Sequence, residues 1–563
     1  MTDNSVVNPD MLELAPLVVR VLEVGCRDGA FAAAYRSRNP QCHYVGIAAD
    51  ASVAEIVQPH MDHVLIGDIE TMDTAALSDG GPFDLILIDV ATERMADAEA
   101  VLTRIGRLLA PNGYLAIRFP NAAHWRALAH LLHGRAPPEN AGPAYTLTSL
   151  ATVLRQAGLQ IVRNRAVNDG SDKAAAEIWL PALGELAGRM KIDRRSVLER
   201  SATSHYVVIA KAAAAAPIRR MQIVSAALAP RTMDVRTRLP AHYLRTVPEL
   251  SVRYQENGVT LPQVPDGMAK IFILQRPGPT DAEDWKVYVG EALRDGWVVI
   301  VEYDDHPELF RQVVKRGPEQ DLFVSFPRAH AVQTSTEPLA AMFRQYNPEV
   351  AAFANTAFTL PPLRPRAPGP ARVFFGALNR GAFSGALARA LAPAIEAHPE
   401  TVFDVVNDRT FFEALPTDRK TFRRALGYDA YLDALEANDI GLLALAGEPF
   451  ELFKSDLKYV ESASRGTAVI ASPAVYGETI RDGETGLIAP RLEDWAPALC
   501  RLLENDSLRE GIVRRAWEDV RDHRMFATQI ESRVDWYWKL WNDRERLHRE
   551  MLTRCPELLR WDA

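Results

Sequence analysis

VVRVLEVGCRDG, Val18 to Gly29, is a valine-rich run that ends in glycine and leads into AFAAAYRSR, a run with helix-forming composition. It reads as a strand that turns into a helix. Glycine belongs at such a turn because a ligand or a second backbone approaches closely there and a side chain would intrude. A G-x-x-x-G turn is common in α/β proteins, so the neighbouring segments matter more. HYVGIA, HVLIGD, FDLILIDV and GYLAIRF repeat the apolar run with amphipathic stretches between them. Continuous apolar strands alternating with helices predict a parallel sheet covered on both faces. QIVRNRAV and HYVVIAK are expected as an antiparallel pair at one edge.

The same pattern restarts twice. AAAAAP, Ala212 to Pro217, separates HYVVIAK from the new strand MQIVSAA, and LPPLRPRAPGP, Leu360 to Pro370, precedes ARVFFGAL. An alanine tract ended by proline suits a linker, and a donor-poor proline stretch suits a crossover. Between the breaks, IFILQRP, WVVIVEYDD, LFVSF and AVQTS are expected strands; beyond the second, TVFDVVN, DIGLLAL, AVIAS and TGLIA are. The fold class is therefore α/β, with three Rossmann-like doubly wound lobes. The expected boundaries are 1–212, a linker at 213–218, lobes at 219–362 and 363–528, and a C-terminal crossover helix at 529–563. A chain of 563 residues with 48% hydrophobic and 24% charged residues can bury several cores. A net charge of −9 argues against a nucleic-acid partner. No apolar run reaches the roughly 18 residues of a spanning helix, and the N-terminus lacks the basic-then-apolar order of a signal peptide. Four cysteines, Cys26, Cys42, Cys500 and Cys555, show no metal-ligand spacing. Their scarcity suits a reducing cytoplasm, and no metal is expected.

In the first block the glycine turn is followed by YVGIAAD, VLIGDIE, FDLILIDV and LLAPNGYLAIRF at successive strand ends. That order resembles the class I S-adenosylmethionine (SAM) methyltransferases. The resemblance implies that Glu23, Gly25 and Gly29 line the methionine side of SAM, that Asp68 and Ile69 flank the adenine, and that Asp89 faces the methyl-transfer cavity. Two positions depart from the family. Arg27 stands where a third glycine is usual, and Ala48 where an acid normally accepts from both ribose hydroxyls. A ligand donor left without that acceptor costs about 1–3 kcal/mol. Asp50 and Asp28 are the nearby carboxylates. The histidine-containing segment of sugar-pathway relatives reads AGPAYTLTSLATVLRQAGL here, which leaves His124 as the nearest base. Both an active methyltransferase and a degenerate docking module stay open.

In the third block, KSDLKYVESASRGTAVIAS, Lys454 to Ser472, reads as a helix that turns at glycine into a strand. Lys458 and Glu461 share one face near the helix start. A cation there can meet a diphosphate, and a carboxylate one turn on can grip ribose hydroxyls. VYGETIRDGETGLI follows. The series resembles two-lobed nucleotide-sugar glycosyltransferases of GT-B architecture, of the retaining, group 1, bacterial polysaccharide class. By that resemblance, Glu461 binds the nucleotide ribose, while Lys454, Lys458, Tyr476 and Glu478 surround the donor. Gly376 and Arg380, in FGALNR, lie by the diphosphate. The register of the family's second glutamate holds Phe453, with Glu448 and Glu451 nearby. The second block then supplies the acceptor lobe. Arg236 and Arg238 in DVRTRLP are candidates for an anionic acceptor or phosphate. Asp304 and Asp305, in VEYDDH, are catalytic candidates at a strand's carboxyl end, where α/β sheets bind ligands.

The expectation is thus a hexosyltransferase-like glycosyltransferase that moves sugar from a nucleotide sugar to a glycan or glycoconjugate acceptor. It is fused to a SAM methyltransferase-like domain, and a bifunctional enzyme and a degenerate docking module are both alternatives. Trp538 and Trp541 in the tail suit either packing on the acceptor lobe or a membrane-peripheral contact.

Overall fold

The computed structural model describes residues 7–72, 77, 81–89, 97–134, 145–168, 170, 173–213, 218–227, 234–256, 258–278, 281–309, 321–366, 368–377 and 380–561. Most of the expected linker, 214–217, lies outside them. The chain forms two compact units: Met1–Arg220 with Arg245–Ser251, and Met221–Leu244 with Val252–Ala563.

The first unit holds a seven-stranded sheet built from β1 (Arg20–Val24), β2 (His43–Ala48), β3 (His63–Ile66), β4 (Phe83–Ile88), β5 (Leu109–Pro120), β6 (Leu159–Val167) and β7 (His205–Ala212). Its order is β3-β2-β1-β4-β5-β7-β6. β1 to β5 run parallel, and β7 is antiparallel to both β5 and β6. Because β1 lies between β2 and β4, the loop after Val24 opens at the point where the strand order reverses. Open α/β sheets hold their ligands there. The central strands are buried from both faces, with Leu22, Ile86, Ile105 and Ile117 in one core and Val21, Leu85, Tyr35 and Ile209 in the other.

The second unit carries two six-stranded sheets. One contains β8 (Met221–Ala227), β9 (Leu250–Glu256), β10 (Ala269–Gln275), β11 (Val298–Glu302), β12 (Ala331–Thr334) and β13 (Val350–Ala352), in the order β13-β12-β11-β10-β8-β9. The other contains β14 (Arg372–Gly376), β15 (Val402–Val406), β16 (Lys420–Arg423), β17 (Ile440–Leu443), β18 (Ala468–Ala471) and β19 (Leu487–Ile488), in the order β16-β15-β14-β17-β18-β19. All pairs in the latter run parallel, and its strand order reverses at β14 and β17. Three doubly wound α/β sheets are therefore present.

Two local expectations change. LFVSF is not a strand: residues 322–328 form turns. Asp321 accepts from the Phe323 amide, and the Asn347 amide donates to the carbonyls of Phe326 and Ala329. The backbone is satisfied without a ladder while Val324 and Phe326 stay in the core. The tail is also not one helix but Ile530–Asn542, Arg544–Arg554 and a 3₁₀ turn at Pro556–Trp561. The first of these packs on the β8–β13 lobe. Tyr537 donates to Gln333 at 3.0 Å, Trp536 donates to Glu349 at 3.3 Å, and the Arg533 guanidinium lies 4.3 Å over Phe353. Trp541 lies under Arg544, and Trp538 is half-buried. Among the described residues no helix is long and apolar enough to cross a membrane.

Candidate functional site

In the first unit, the turn after β1 holds three residues at positive φ: Gly25 at 79°, Arg27 at 38° and Gly29 at 76°. A Cβ on Gly25 would meet nothing, so its backbone stays open to a ligand; one on Gly29 would press on the His60 ring at 2.9 Å. Arg27 holds a left-handed conformation that costs an L-residue roughly 1–2 kcal/mol. Glu23 is buried at the end of β1, and the Tyr44 hydroxyl donates to it at 2.9 Å. Burial pushes its carboxyl up to about 7 against that hydrogen bond, and the charges of Asp89 and Asp28 push the same way. Asp89 accepts from Arg118 Nε at 2.5 Å. Asp68 closes a turn on the Glu70 amide at 2.9 Å, and Ile69 is buried. His124 is buried at the start of helix Trp125–Leu132, with its ring 5.4 Å from that of Trp125. Ala48 is fully buried. Asp50 caps helix Ala51–Val57, one oxygen accepting from Ser52 N, Ser52 Oγ and Val53 N.

In the second unit, Lys458 and Glu461 lie on helix Leu457–Ser464, between β17 and β18. Lys458 Nζ donates to the Gly376 carbonyl at 2.7 Å, across the point where the strand order reverses. Burial lowers its ammonium to about 8, despite the attraction of Glu461. Burial raises Glu461 to about 7, opposed by Lys458 and by hydrogen bonds from Tyr428 and Tyr431. Gly376 must be glycine, because a Cβ would strike the Phe374 ring at 2.7 Å. Arg380, at the start of helix Gly381–Ala390, pairs with Glu451 at 3.1 Å, and its Nε is buried with no hydrogen-bond partner among the described residues. Glu451 also accepts from the Gly447 amide at 3.0 Å. Tyr476 is buried next to a strained turn. Val475 sits at φ 68°, ψ −49°, and the Tyr476 amide donates back to Ala474 at 2.8 Å. Glu478 is exposed.

The two lobes meet around Lys454. Its ammonium pairs with Asp305 at 3.2 Å, and Arg276 bridges Asp304 at 2.6 Å and Asp305 at 2.7 Å. Burial pushes the Asp305 carboxyl up, but the charges of Arg276 and Lys454 outweigh it and hold the group below its usual range. Phe453, in the second-glutamate register, places its ring 4.9 Å from the His306 ring, and its carbonyl accepts from Thr336. Arg236 requires a correction. It is 3% exposed, and its guanidinium is spent on Glu302, Asn355 and the carbonyls of Phe353 and Thr334. A saturated, buried guanidinium has no donor left for an acceptor, so Arg236 holds the lobe together. Arg238 is half-exposed and pairs with Asp234.

Residues 8–164 match a family model described as a methyltransferase domain. No curated protein matches the chain. Solved structures with similarity include TarM, at 12% identity and TM-score 0.34, covering 45% of this chain and 57% of that one. A mutant of S. aureus TarM in complex with fondaparinux, alpha-GlcNAc-glycerol and UDP has the same identity and TM-score. The chain thus spans less than two thirds of the length of TarM. The N-methyltransferase NodS from Bradyrhizobium japonicum WM9 shows 18% identity and TM-score 0.24, covering 36% of this chain and 92% of that one.

Residues 8–164, the part matched by the methyltransferase-domain model, include the turn after β1. Glu23, Asp28 and Asp89 make the end of β1 acidic, which suits a ligand with a sulfonium and an ammonium, and Gly25 leaves the backbone open. At Ala48, where the resemblance expects a ribose-binding acid, there is no side-chain acceptor, and Asp50 is occupied in starting its helix.

Sequence reasoning missed Arg276, Tyr428, Tyr431 and Glu302. Arg276 follows β10 at φ 45°, and a charged residue directly after an apolar strand was its only signal. The tyrosines come from helix Tyr428–Glu436, which the strand motifs do not mark.

Proposed function

We propose that the second unit is a glycosyltransferase that binds a nucleotide sugar between its two lobes and passes the sugar to a glycan or glycoconjugate acceptor. One observation carries the reading. Lys458 reaches the end of β14 and feels the charges of both Glu461 and Arg380, and the Arg380 Nε is one of several buried donors without a partner among the described residues. An orphaned buried donor is costly unless a ligand completes it. A diphosphate supplies the missing acceptor and compensates the desolvated ammonium of Lys458. The start of helix Gly381–Ala390 adds its amide dipoles to the same place.

In this reading Glu461 accepts from the ribose hydroxyls, with Tyr428 and Tyr431 fixing its orientation. Arg380 and Lys458 stabilise the charge that develops on the leaving diphosphate, so catalysis is mainly positioning and electrostatics. Glu451 holds Arg380 in place. Retention at the anomeric carbon rests on family resemblance alone. The test is hydrolysis or transfer from a panel of nucleotide sugars by the wild type and by Glu461→Ala. Turnover by the wild type and its loss in the variant are expected; no turnover, or equal turnover by both, overturns the reading.

For the first unit, we infer a docking or structural role for the methyltransferase domain, supported by Arg27, Ala48 and the capping role of Asp50.

A further inference from the structure

Away from the cleft, the β14–β19 lobe brings together three side chains of metal-ligating type. Cys500 and Glu504 sit one turn apart on helix Trp495–Glu504, and His398 closes helix Ala392–Ala397. Their ligand atoms all lie within 4.8 Å of one another. His398 Nε2 is 3.0 Å from Glu504 Oε1, and His398 Nδ1 is 3.9 Å from Glu400 Oε1. We propose that His398, Cys500 and Glu504 bind a borderline divalent transition metal such as Zn²⁺, with the fourth position left to water.

The chemistry of the set supports this. Imidazole, thiolate and carboxylate are the donors zinc takes, and i,i+4 spacing puts two of them on one helix face. On binding, the thiol proton leaves to solvent as the metal–sulfur bond forms. The histidine geometry agrees. With Nε2 on the metal, Nδ1 faces the Glu400 carboxylate at 3.9 Å, which favours the Nδ1–H tautomer. Cys26, Cys42 and Cys555 are buried, whereas Cys500 is half-buried and reachable. Bound metal would pin the end of helix Ala392–Ala397 to helix Trp495–Glu504.

The test is titration of the full chain, stripped by chelator and desalted, with Co²⁺. A saturable thiolate-to-cobalt charge-transfer band at one equivalent is expected, displaced by Zn²⁺ and absent in Cys500→Ser. Glu504→Gln changes an exposed side chain and keeps the fold, and about a tenfold weaker affinity is expected for it. No saturable band in the wild type, an equal band in Cys500→Ser, or equal affinity in Glu504→Gln would overturn the proposal. Thermal unfolding read alongside separates loss of metal from loss of fold: Zn²⁺ should raise the wild-type midpoint, raise that of Glu504→Gln by less, and leave that of Cys500→Ser unmoved.

Discussion

Glu23 in the first unit and Glu461 in the second are both buried carboxyls pushed up to about 7, and both accept hydrogen bonds from tyrosine. Their surroundings differ in sign. Asp89 and Asp28 press on Glu23, whereas Lys458 and Arg465 draw Glu461 down. Burial alone makes a carboxyl reluctant to ionise; the neighbouring charges decide which ligand relieves it. An acid-rich pocket favours a cationic ligand, and a mixed pocket with an orphaned arginine donor favours an anionic nucleotide. One strand–turn–helix pattern thus supports opposite electrostatics.

The comparison breaks most readily at Glu461. Replacing it with alanine should cut kcat/KM for the nucleotide sugar by about 100-fold, since a charged acceptor of two ribose hydroxyls is lost; a loss below about threefold would remove the contrast. The pH profile sharpens the point. Binding should rise as Glu461 ionises through about 7 and fall as Lys458 loses its proton through about 8. Glu461→Gln should abolish the acid limb and keep the alkaline one. In the first unit, calorimetry with SAM should find weak binding at best. The Arg27→Gly, Ala48→Glu double variant should bind at least about tenfold tighter, because it restores the ribose acceptor. Wild-type affinity equal to that of the double variant would show instead that the domain is competent as it stands.

Glu23 itself predicts a stability effect. Its folded pKa lies above the ordinary 4.5, so its contribution is fully present below pH 4.5 and is lost as pH rises through about 7. Glu23→Gln should therefore gain stability over the wild type between pH 5 and pH 8, by at most roughly 3 kcal/mol, in denaturant titrations at the two pH values. A difference that does not change with pH would mean that Glu23 is not held protonated. The smallest effect belongs to Lys454 and Asp305. Both are about one quarter exposed, so a double-mutant cycle on stability should give a coupling of no more than about 1 kcal/mol.

Much of this molecule is legible from particular runs of sequence. FDLILIDV and VVIVE are mostly apolar because both faces of their strands are covered, and they appear as β4 and β11. LFVSF misleads because an apolar run also suits a buried turn whose carbonyls are taken by a distant amide, here that of Asn347. β16, KTFR, lacks the apolar signal because it lies at a sheet edge. At the sites, the i,i+3 relation of Lys458 and Glu461 follows from helical geometry alone. Arg236 could not be placed from its own segment, since its partners Glu302, Thr334, Phe353 and Asn355 come from distant points of the chain.

By itself, then, the sequence determined the α/β alternation, the glycine turns and the helical face that carries Lys458 and Glu461, because these depend on periodicity and on neighbours a few residues away. Only the tertiary structure decided which charges are spent and which are left over. Arg236 is saturated, Arg276 is shared by two aspartates, Asp50 is a cap, and Arg380 retains an unpaired donor. The physical reason is that desolvation and pairing depend on groups brought together through space, and the same chain distance can leave a side chain in water or in a core.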